Sequence, residues 1–251
     1  MTEKEINDII EAIFSGKISK YNLPEGLYSF TGLEFEKALS ETFGDIHKLG
    51  IQHPAYEVAA EMRENTWFFS AAKTFKNVND AQAAIFDEDG FIKPFSKFKK
   101  EADTIFESYN KNWLNTEYQT VVANSQMAEK WQGFEKNKEA LPFLQYQTVG
   151  DQRVRDDHAA MDGVIRRVDD DFWSIHTPQN GWGCRCTVIQ LDEGKETDIG
   201  KIDLPEIPED FRFNPGKDKI VFGDEHEYFK VTPEDRKFKS DNFGLPLPEK
   251  L

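Results

Sequence analysis

Four side chains in the second half of the chain are of types that bind metals or act as nucleophiles: those of His158, His176, Cys184 and Cys186. Zn²⁺ takes thiolate sulfur and imidazole nitrogen in a tetrahedral arrangement, so these residue types suit it. Paired ligands in structural zinc sites usually have about two to four residues between them, whereas a single residue separates the two cysteines. The spacing therefore favours a metal-free core of buried thiols, with His158 hydrogen-bonded to a carboxylate or a carbonyl. A zinc site is the alternative.

The same residues could instead form a nucleophilic catalytic set. In that arrangement Cys184 or Cys186 attacks the substrate, His158 is the base, and Asp162 orients the imidazole. The sequence does not place either cysteine at a helix N-terminus, and it supplies no recognisable oxyanion hole. We therefore expect neither enzymatic activity nor a cofactor, and a Cys/His-dependent hydrolase is the alternative.

Both thiols are expected to be free. A disulfide across one intervening residue is strained, and thiols in the cytoplasm are kept reduced. The first residues have neither the basic start nor the apolar centre of a signal peptide, so we expect synthesis in the cytoplasm. No run approaches the ~20 apolar residues that cross a bilayer, so no membrane partner is expected.

Hydrophobic patterning changes near Leu141-Pro142. Before this point apolar residues recur at helical spacing, as among the isoleucines of residues 6–13. After it, short apolar runs alternate with turn residues, which predicts strands at 143–149, 163–168 and 186–191.

We therefore predict an α+β fold in three parts. Residues 1–140 form a helical region, residues 141–192 (extending to about residue 230) a small α+β module, and residues 231–251 an irregular tail. Turns at Gly163 and Gly181 are expected to bring distant side chains of the module together, since glycine accepts positive φ. The side chains expected to meet are those of His158, Asp162, Trp182, Cys184 and Cys186.

An ordered series of short motifs runs through residues 146–186. Its residues are Tyr146, Asp151, Arg153, Arg155, His158, Asp162, Gly163, Trp173, Asn180, Gly181, Trp182, Cys184, Arg185 and Cys186. The series is similar to the signature of phage Mu protein F-like head morphogenesis proteins. The resemblance covers roughly residues 115–192, and Asn214-Pro215-Gly216 also recurs in such proteins. The one departure is Gln179, where the family usually has a second proline.

The resemblance implies a minor head protein that takes part in capsid morphogenesis. Such a protein is expected to bind the portal protein or the scaffold, to meet the major capsid protein, and to assist DNA packaging or ejection. It is made in the host cytoplasm and ends up in the phage head. Related modules are also fused to toxins, so a toxin remnant belongs with the hydrolase alternative. The segment after Cys186 is too short and too rich in loops for a toxin domain.

The net charge of −15 disfavours nucleic acid as a partner, because the average surface repels phosphate. Five arginines in one region nevertheless make a local basic patch possible, and a nucleic-acid-binding head protein is a second alternative. We interpret these arginines as partners of the abundant carboxylates. They are Arg153, Arg155, Arg166, Arg167 and Arg185.

Overall fold

The computed structural model describes residues 1–251, and helices account for the ordered elements of the first 140 residues. The helices are α1 (Glu3–Phe14), α2 (Glu25–Phe43), α3 (Tyr56–Ala83), α4 (Phe95–Glu107) and α5 (Leu114–Asn137). A π-helical segment, Ser108–Trp113, joins α4 to α5. Every strand lies after residue 142, so the predicted α+β fold with a helical first part is confirmed. No helix is both long and apolar enough to cross a membrane.

The first helix shows how local sequence sets an element boundary. The Thr2 side chain accepts a hydrogen bond from the backbone N–H of Glu5, and the Glu5 carboxylate accepts one from the backbone N–H of Thr2 at 2.7 Å. This reciprocal pair satisfies two donors that a helix start leaves without partners. Ile10 and Ile13, three residues apart and therefore on the same face of the helix, are fully buried.

The fold divides into two compact units, each assembled from separate segments of the chain. The first comprises Met1–Lys37, Arg63–Tyr118 and Glu227–Lys250; the second comprises Ala38–Met62, Gln119–His226 and Leu251. Helices α2, α3 and α5 contribute residues to both units. The domains predicted from the sequence, with boundaries near residues 140 and 230, are continuous in the chain, whereas these units are not. The predicted division into domains therefore stays a prediction.

A buried ion pair joins α3 to α5 in the first unit. The Lys73 ammonium donates to Glu117, and the Tyr228 hydroxyl donates to the other carboxylate oxygen of Glu117 at 3.1 Å. Burial lowers the pKa of Lys73 and raises the pKa of Glu117, and each charge opposes the shift of the other. Removing one partner would therefore leave an uncompensated charge in the interior.

Residues Glu227–Lys250 also belong to the first unit. Within residues 231–251, one short α-helix, α9 (Arg236–Ser240), lies between two 3-10 turns, Pro233–Asp235 and Asn242–Gly244. Asp235 accepts hydrogen bonds from Lys20 at 2.8 Å and from the Tyr21 hydroxyl at 2.8 Å. The Phe243 ring is buried 4.9 Å from that of Phe75. The segment predicted to be an irregular tail is thus held by packing.

The second unit is built around a three-stranded antiparallel sheet. Its strands are β1 (Phe143–Gln147), β2 (Ile165–Arg167) and β3 (Thr187–Leu191), in the order β2-β1-β3. Leu144 and Tyr146 of β1 point to one face, as the two-residue period of a strand requires, and both are fully buried. They share a core with Trp131 and Phe134 of α5. Three short helices complete the unit: α6 (Asp156–Ala159), α7 (Phe172–His176) and α8 (Pro215–Asp218).

Asn214-Pro215-Gly216 begins α8 at a buried position. The Asn214 side-chain oxygen accepts hydrogen bonds from the N–H groups of Gly216 and Lys217, which caps the helix. Its amide group donates to the carbonyl of Trp173 at 3.0 Å. A Cβ on Gly216 would lie 2.1 Å from the Cβ of Trp131, so only glycine fits at this close approach.

We expect Gly216→Ala to lower the free energy of unfolding by about 1–3 kcal/mol, because the added methyl overpacks a filled core. Gly133→Ala is the matched control, since Gly133 lies on the same helix as Trp131 and a Cβ there meets nothing within 4 Å. The control should leave stability unchanged or raise it by up to ~1 kcal/mol. Urea unfolding of both variants measures the difference, and equal stabilities would contradict the packing described.

Candidate functional site

Strand β1 brings two distant segments to one place in the second unit. On one edge of β1, the N–H of Gly163 donates to the carbonyl of Tyr146, and the N–H of Tyr146 donates to the carbonyl of Val164, each at 2.9 Å. On the other edge, Tyr146 pairs with Val188 of β3. The turn that follows α6 therefore lies beside the same residue of β1 that pairs with the second residue of β3.

His158 of α6 meets Cys184 and Cys186, which directly precede β3. Each cysteine Sγ lies 3.5 Å from the Nδ1 atom of His158. The three ligand atoms lie within 4.8 Å of one another, and all three residues are buried. The cysteines form no disulfide, as expected. Nε2 of His158 has no hydrogen-bond partner, so the polar contacts of the ring are all with sulfur. The carboxylate or carbonyl partner expected for His158 is therefore absent.

The two thiols differ in acidity because they are hydrogen-bonded to each other. The hydrogen bond from Cys186 lowers the pKa of the Cys184 thiol, against the effect of burial and with help from His158. The same hydrogen bond, together with burial, raises the pKa of Cys186. The pair thus favours a thiolate at Cys184 next to an imidazole, and the thiolate is the form in which cysteine binds metals.

A pocket of about 100 Å³ opens onto these three side chains. The pocket is also lined by Val149, Arg153, Val154, Arg155, Gly183 and Arg185. Arg155 donates to the carbonyl of Trp182 at 3.1 Å. Its guanidinium packs closely against Gly181, since a Cβ added to Gly181 would lie only 3.2 Å from a guanidinium nitrogen of Arg155. Gly181 has a φ of +150°, so glycine both adopts this backbone conformation and admits the arginine.

Arg185 and Asp151 form a two-pronged ion pair beside the cysteines. The guanidinium donates to both carboxylate oxygens, at 2.7 and 2.8 Å. These hydrogen bonds hold the loop after β1 against the Cys184–Cys186 segment. They also lower the pKa of the Asp151 carboxyl from its ordinary 3.8 to about 2.

Asp162 and Trp182 belong to the same loops but make different contacts from those expected. The Asp162 carboxylate accepts hydrogen bonds from the N–H and the hydroxyl of Thr148, at 2.7 and 2.9 Å, so it fixes a turn. The Trp182 ring packs against Phe211, 5.1 Å away, and against His226, 5.6 Å away. Neither residue orients the imidazole of His158.

The remaining motif residues hold the loop that precedes the cysteines. The buried Tyr146 hydroxyl donates to the Asn180 side-chain oxygen at 3.0 Å, and burial raises the pKa of this hydroxyl so that it stays a donor. The Asn180 amide donates to the carbonyl of Thr177 at 3.1 Å. Trp173 is fully buried, and its indole N–H donates to the carbonyl of Arg167 at 2.9 Å. These residues position the site.

His176 lies outside the cluster. Its ring stacks on Phe172 with the centroids 4.4 Å apart, and its Nδ1 lies 3.2 Å from the Phe172 carbonyl oxygen. Burial lowers its pKa. Of the four ligand candidates in the sequence, the structure therefore brings together His158, Cys184 and Cys186. Sequence reasoning noted the recurrence of Asn214-Pro215-Gly216 but missed that Asn214 anchors α7 to α8. The signal was present, since Asn before Pro is typical of a helix start.

The pKa of Asp151 gives a pH dependence with a definite sign. Because the folded state lowers this pKa, the ion pair stabilises the fold above pH 3.8, and its contribution is lost as the pH falls from 3.8 towards 2. We expect the Asp151 carboxyl to remain mostly ionised at pH 3, and Arg185→Gln to return its titration midpoint towards 3.8. Carbon-detected NMR of the Asp151 carboxyl group measures its ionisation at pH 3 and its titration midpoint in the Arg185→Gln variant. The exposed neighbour variant Gln152→Ala is the control, and an unchanged midpoint in Arg185→Gln would refute the assignment.

The part of the chain that contains these motif residues is similar to known proteins. Residues 91–189 match the family described as Phage Mu protein F like protein. Over 87 residues the chain is 32% identical to the putative capsid assembly protein F of Escherichia phage Mu, a match that covers 35% of this chain and 20% of that protein. Over 58 residues it is 43% identical to the Mu-like prophage FluMu F protein of Haemophilus influenzae, which covers 23% and 14%.

No solved structure matches the chain significantly. The matched segments are a fifth or less of the lengths of these two relatives. Both are F proteins, and the family match spans every motif residue from Tyr146 to Cys186. The resemblance inferred from the order of the motifs is confirmed: residues 91–189 of this chain are similar to the Mu protein F-like family.

Proposed function

We propose that this chain is a minor head protein that takes part in assembly of the phage capsid. The observation that supports this most directly is the family match over residues 91–189, together with a relative whose name is putative capsid assembly protein F. The protein is made in the host cytoplasm, joins the head, binds the portal protein or the scaffold, and meets the major capsid protein. From its place in the head, next to the portal protein or the scaffold, the chain assists DNA packaging or ejection.

We further propose that the chain acts without catalytic turnover. In a Cys–His nucleophilic pair the base is typically oriented by a third group. Asp162, the candidate for that role, is hydrogen-bonded to Thr148. The motif residues around His158 instead hold loops in place, as the hydrogen bond between Tyr146 and Asn180 illustrates. Their arrangement supports a rigid module.

The arginines support a protein partner over a nucleic acid. Arg185 is paired with Asp151, and Arg166 is paired with Asp170 at 2.5 Å. Carboxylate-paired arginines are poor phosphate ligands, because binding DNA requires them to leave their partners. With a net charge of −15, the chain is suited to contacts with other proteins.

The turn between α3 and α4 offers one surface for such a contact. It is ordered by backbone hydrogen bonds, including one from the N–H of Asp87 to the carbonyl of Phe91 at 2.9 Å. Three large apolar side chains on it are nonetheless exposed: Phe86 at 49%, Phe91 at 70% and Ile92 at 67%. Grouped exposed apolar residues typically mark protein–protein contacts, and we propose that another head protein covers these.

The proposal is tested in the phage or prophage genome that encodes the chain. We expect deletion of the gene to reduce the yield of infectious heads, and mass spectrometry of purified heads from the parent to detect the chain in few copies. Phe91→Ser should lower its copy number in heads while leaving thermal unfolding unchanged. Ile51→Ser is the matched control, since Ile51 is 75% exposed in another part of the chain. A chain absent from purified heads, with deletion harmless to head yield, would refute the proposal.

Replacement of a buried thiol distinguishes assembly from catalysis. We expect Cys184→Ala to lower the free energy of unfolding by about 1–3 kcal/mol, since it leaves a buried polar partner unpaired, and to lower the copy number in heads in parallel. A catalytic cysteine predicts the opposite pattern. In that case the variant would melt like the parent and enter heads at full number, yet the particles would fail to infect.

A further inference from the structure

His158 contacts both cysteines through a single ring nitrogen. Nδ1 faces both sulfur atoms at the same distance, 3.5 Å. A neutral imidazole has at most one proton on that nitrogen, so an N–H group there would be shared between the two sulfur atoms, and a shared hydrogen bond is well aligned with neither. A metal cation that accepts one lone pair from the nitrogen and one from each sulfur would satisfy all three atoms together.

A zinc ion does this at the observed spacing. With Zn–S near 2.3 Å, Zn–N near 2.0–2.1 Å and tetrahedral angles, a nitrogen and a sulfur on one ion lie about 3.5 Å apart. Both nitrogen–sulfur distances at the cluster agree with this value. Buried thiolates and imidazole are also the donors that select zinc over hard cations such as Ca²⁺ or Mg²⁺.

The spacing of the cysteines, which disfavoured zinc in the sequence, has a structural explanation. The common pair separated by two to four residues presents its ligands from a tight turn. Here Cys184 and Cys186 precede β3 with one residue between them, and the Sγ atoms of both lie 3.5 Å from the same nitrogen of His158. The third ligand, His158, comes from α6 on the other side of β1. The ligands therefore come from two segments that β1 brings together.

We propose that His158, Cys184 and Cys186 bind a zinc ion that links α6 to the segment before β3. The proposal is independent of the assembly function. Three protein ligands leave one coordination position, and the pocket of about 100 Å³ lined by all three residues gives water or a small anion access to it. Arg153 and Arg155 line the same pocket, so an anionic fourth ligand is favoured.

The test uses the full chain purified without a histidine tag. We expect elemental analysis to find about one zinc per chain. After treatment with a chelator, titration with Co²⁺ should give the intense sulfur-to-cobalt absorption of a thiolate site, saturating at one equivalent. Adding zinc to the chelated chain should raise its melting temperature. These readouts do not depend on head assembly, so their failure and failure of the proposed function are separate results.

Matched histidine variants assign the ligands. His158→Ala should abolish the zinc content and the cobalt signal, whereas His176→Ala, the histidine outside the cluster, should keep both. Cys184→Ser and Cys186→Ser should each weaken the cobalt–sulfur absorption. Where a variant fails to fold, the wild-type chain decides the question. Less than about 0.1 zinc per chain after refolding with excess zinc, with no shift in melting temperature, overturns the proposal, and so does loss of metal in His176→Ala alone.

Discussion

Pairing of β1 along both of its edges is the constraint on which the site depends. Tyr146 exchanges backbone hydrogen bonds with Gly163 and Val164 on one side and pairs with Val188 on the other. The chain before Gly163 and the chain before Val188 must therefore approach the same point, although more than 20 residues separate them in sequence. His158 and the two cysteines meet there. A shift of one residue in either ladder would turn Tyr146 away from the core and separate the three side chains.

The motif residues around β1 act mainly on the loops. Tyr146 holds Asn180, Asp162 holds Thr148, Asp151 holds Arg185, and Asn214 holds Trp173, each through hydrogen bonds from a side chain to a neighbouring segment. Loops carry backbone groups that no sheet satisfies, and side-chain partners of this kind provide the missing hydrogen bonds. This explains how a sheet of three short strands supports a module with so much irregular structure. It also leaves the pocket beside the cysteines with fixed walls.

The sequence predicts the parts of this fold that depend on local patterns. Helical spacing before Leu141 and short apolar runs after it gave the α+β organisation, and the motif order gave the family. Residue types gave four ligand candidates, but only the pairing of β1 separates His158 from His176, because that choice depends on which loops become neighbours. Asp162, which the hydrolase alternative places at the imidazole, accepts its hydrogen bonds from Thr148, and this contact also depends on which loops become neighbours. The buried pair Lys73–Glu117 could not be foreseen, since charged residues at helical spacing usually face solvent.

The central claim is that the geometry around β1 puts His158 and Cys184 in direct energetic contact. A double-mutant cycle with His158→Ala and Cys184→Ala, measured by urea unfolding in excess chelator, tests this most directly. We predict a coupling free energy of about 0.5–3 kcal/mol for this pair. For the control pair His176→Ala and Cys184→Ala, we predict additivity within about 0.3–0.5 kcal/mol. Additive effects of His158→Ala and Cys184→Ala would contradict the arrangement of the site described here.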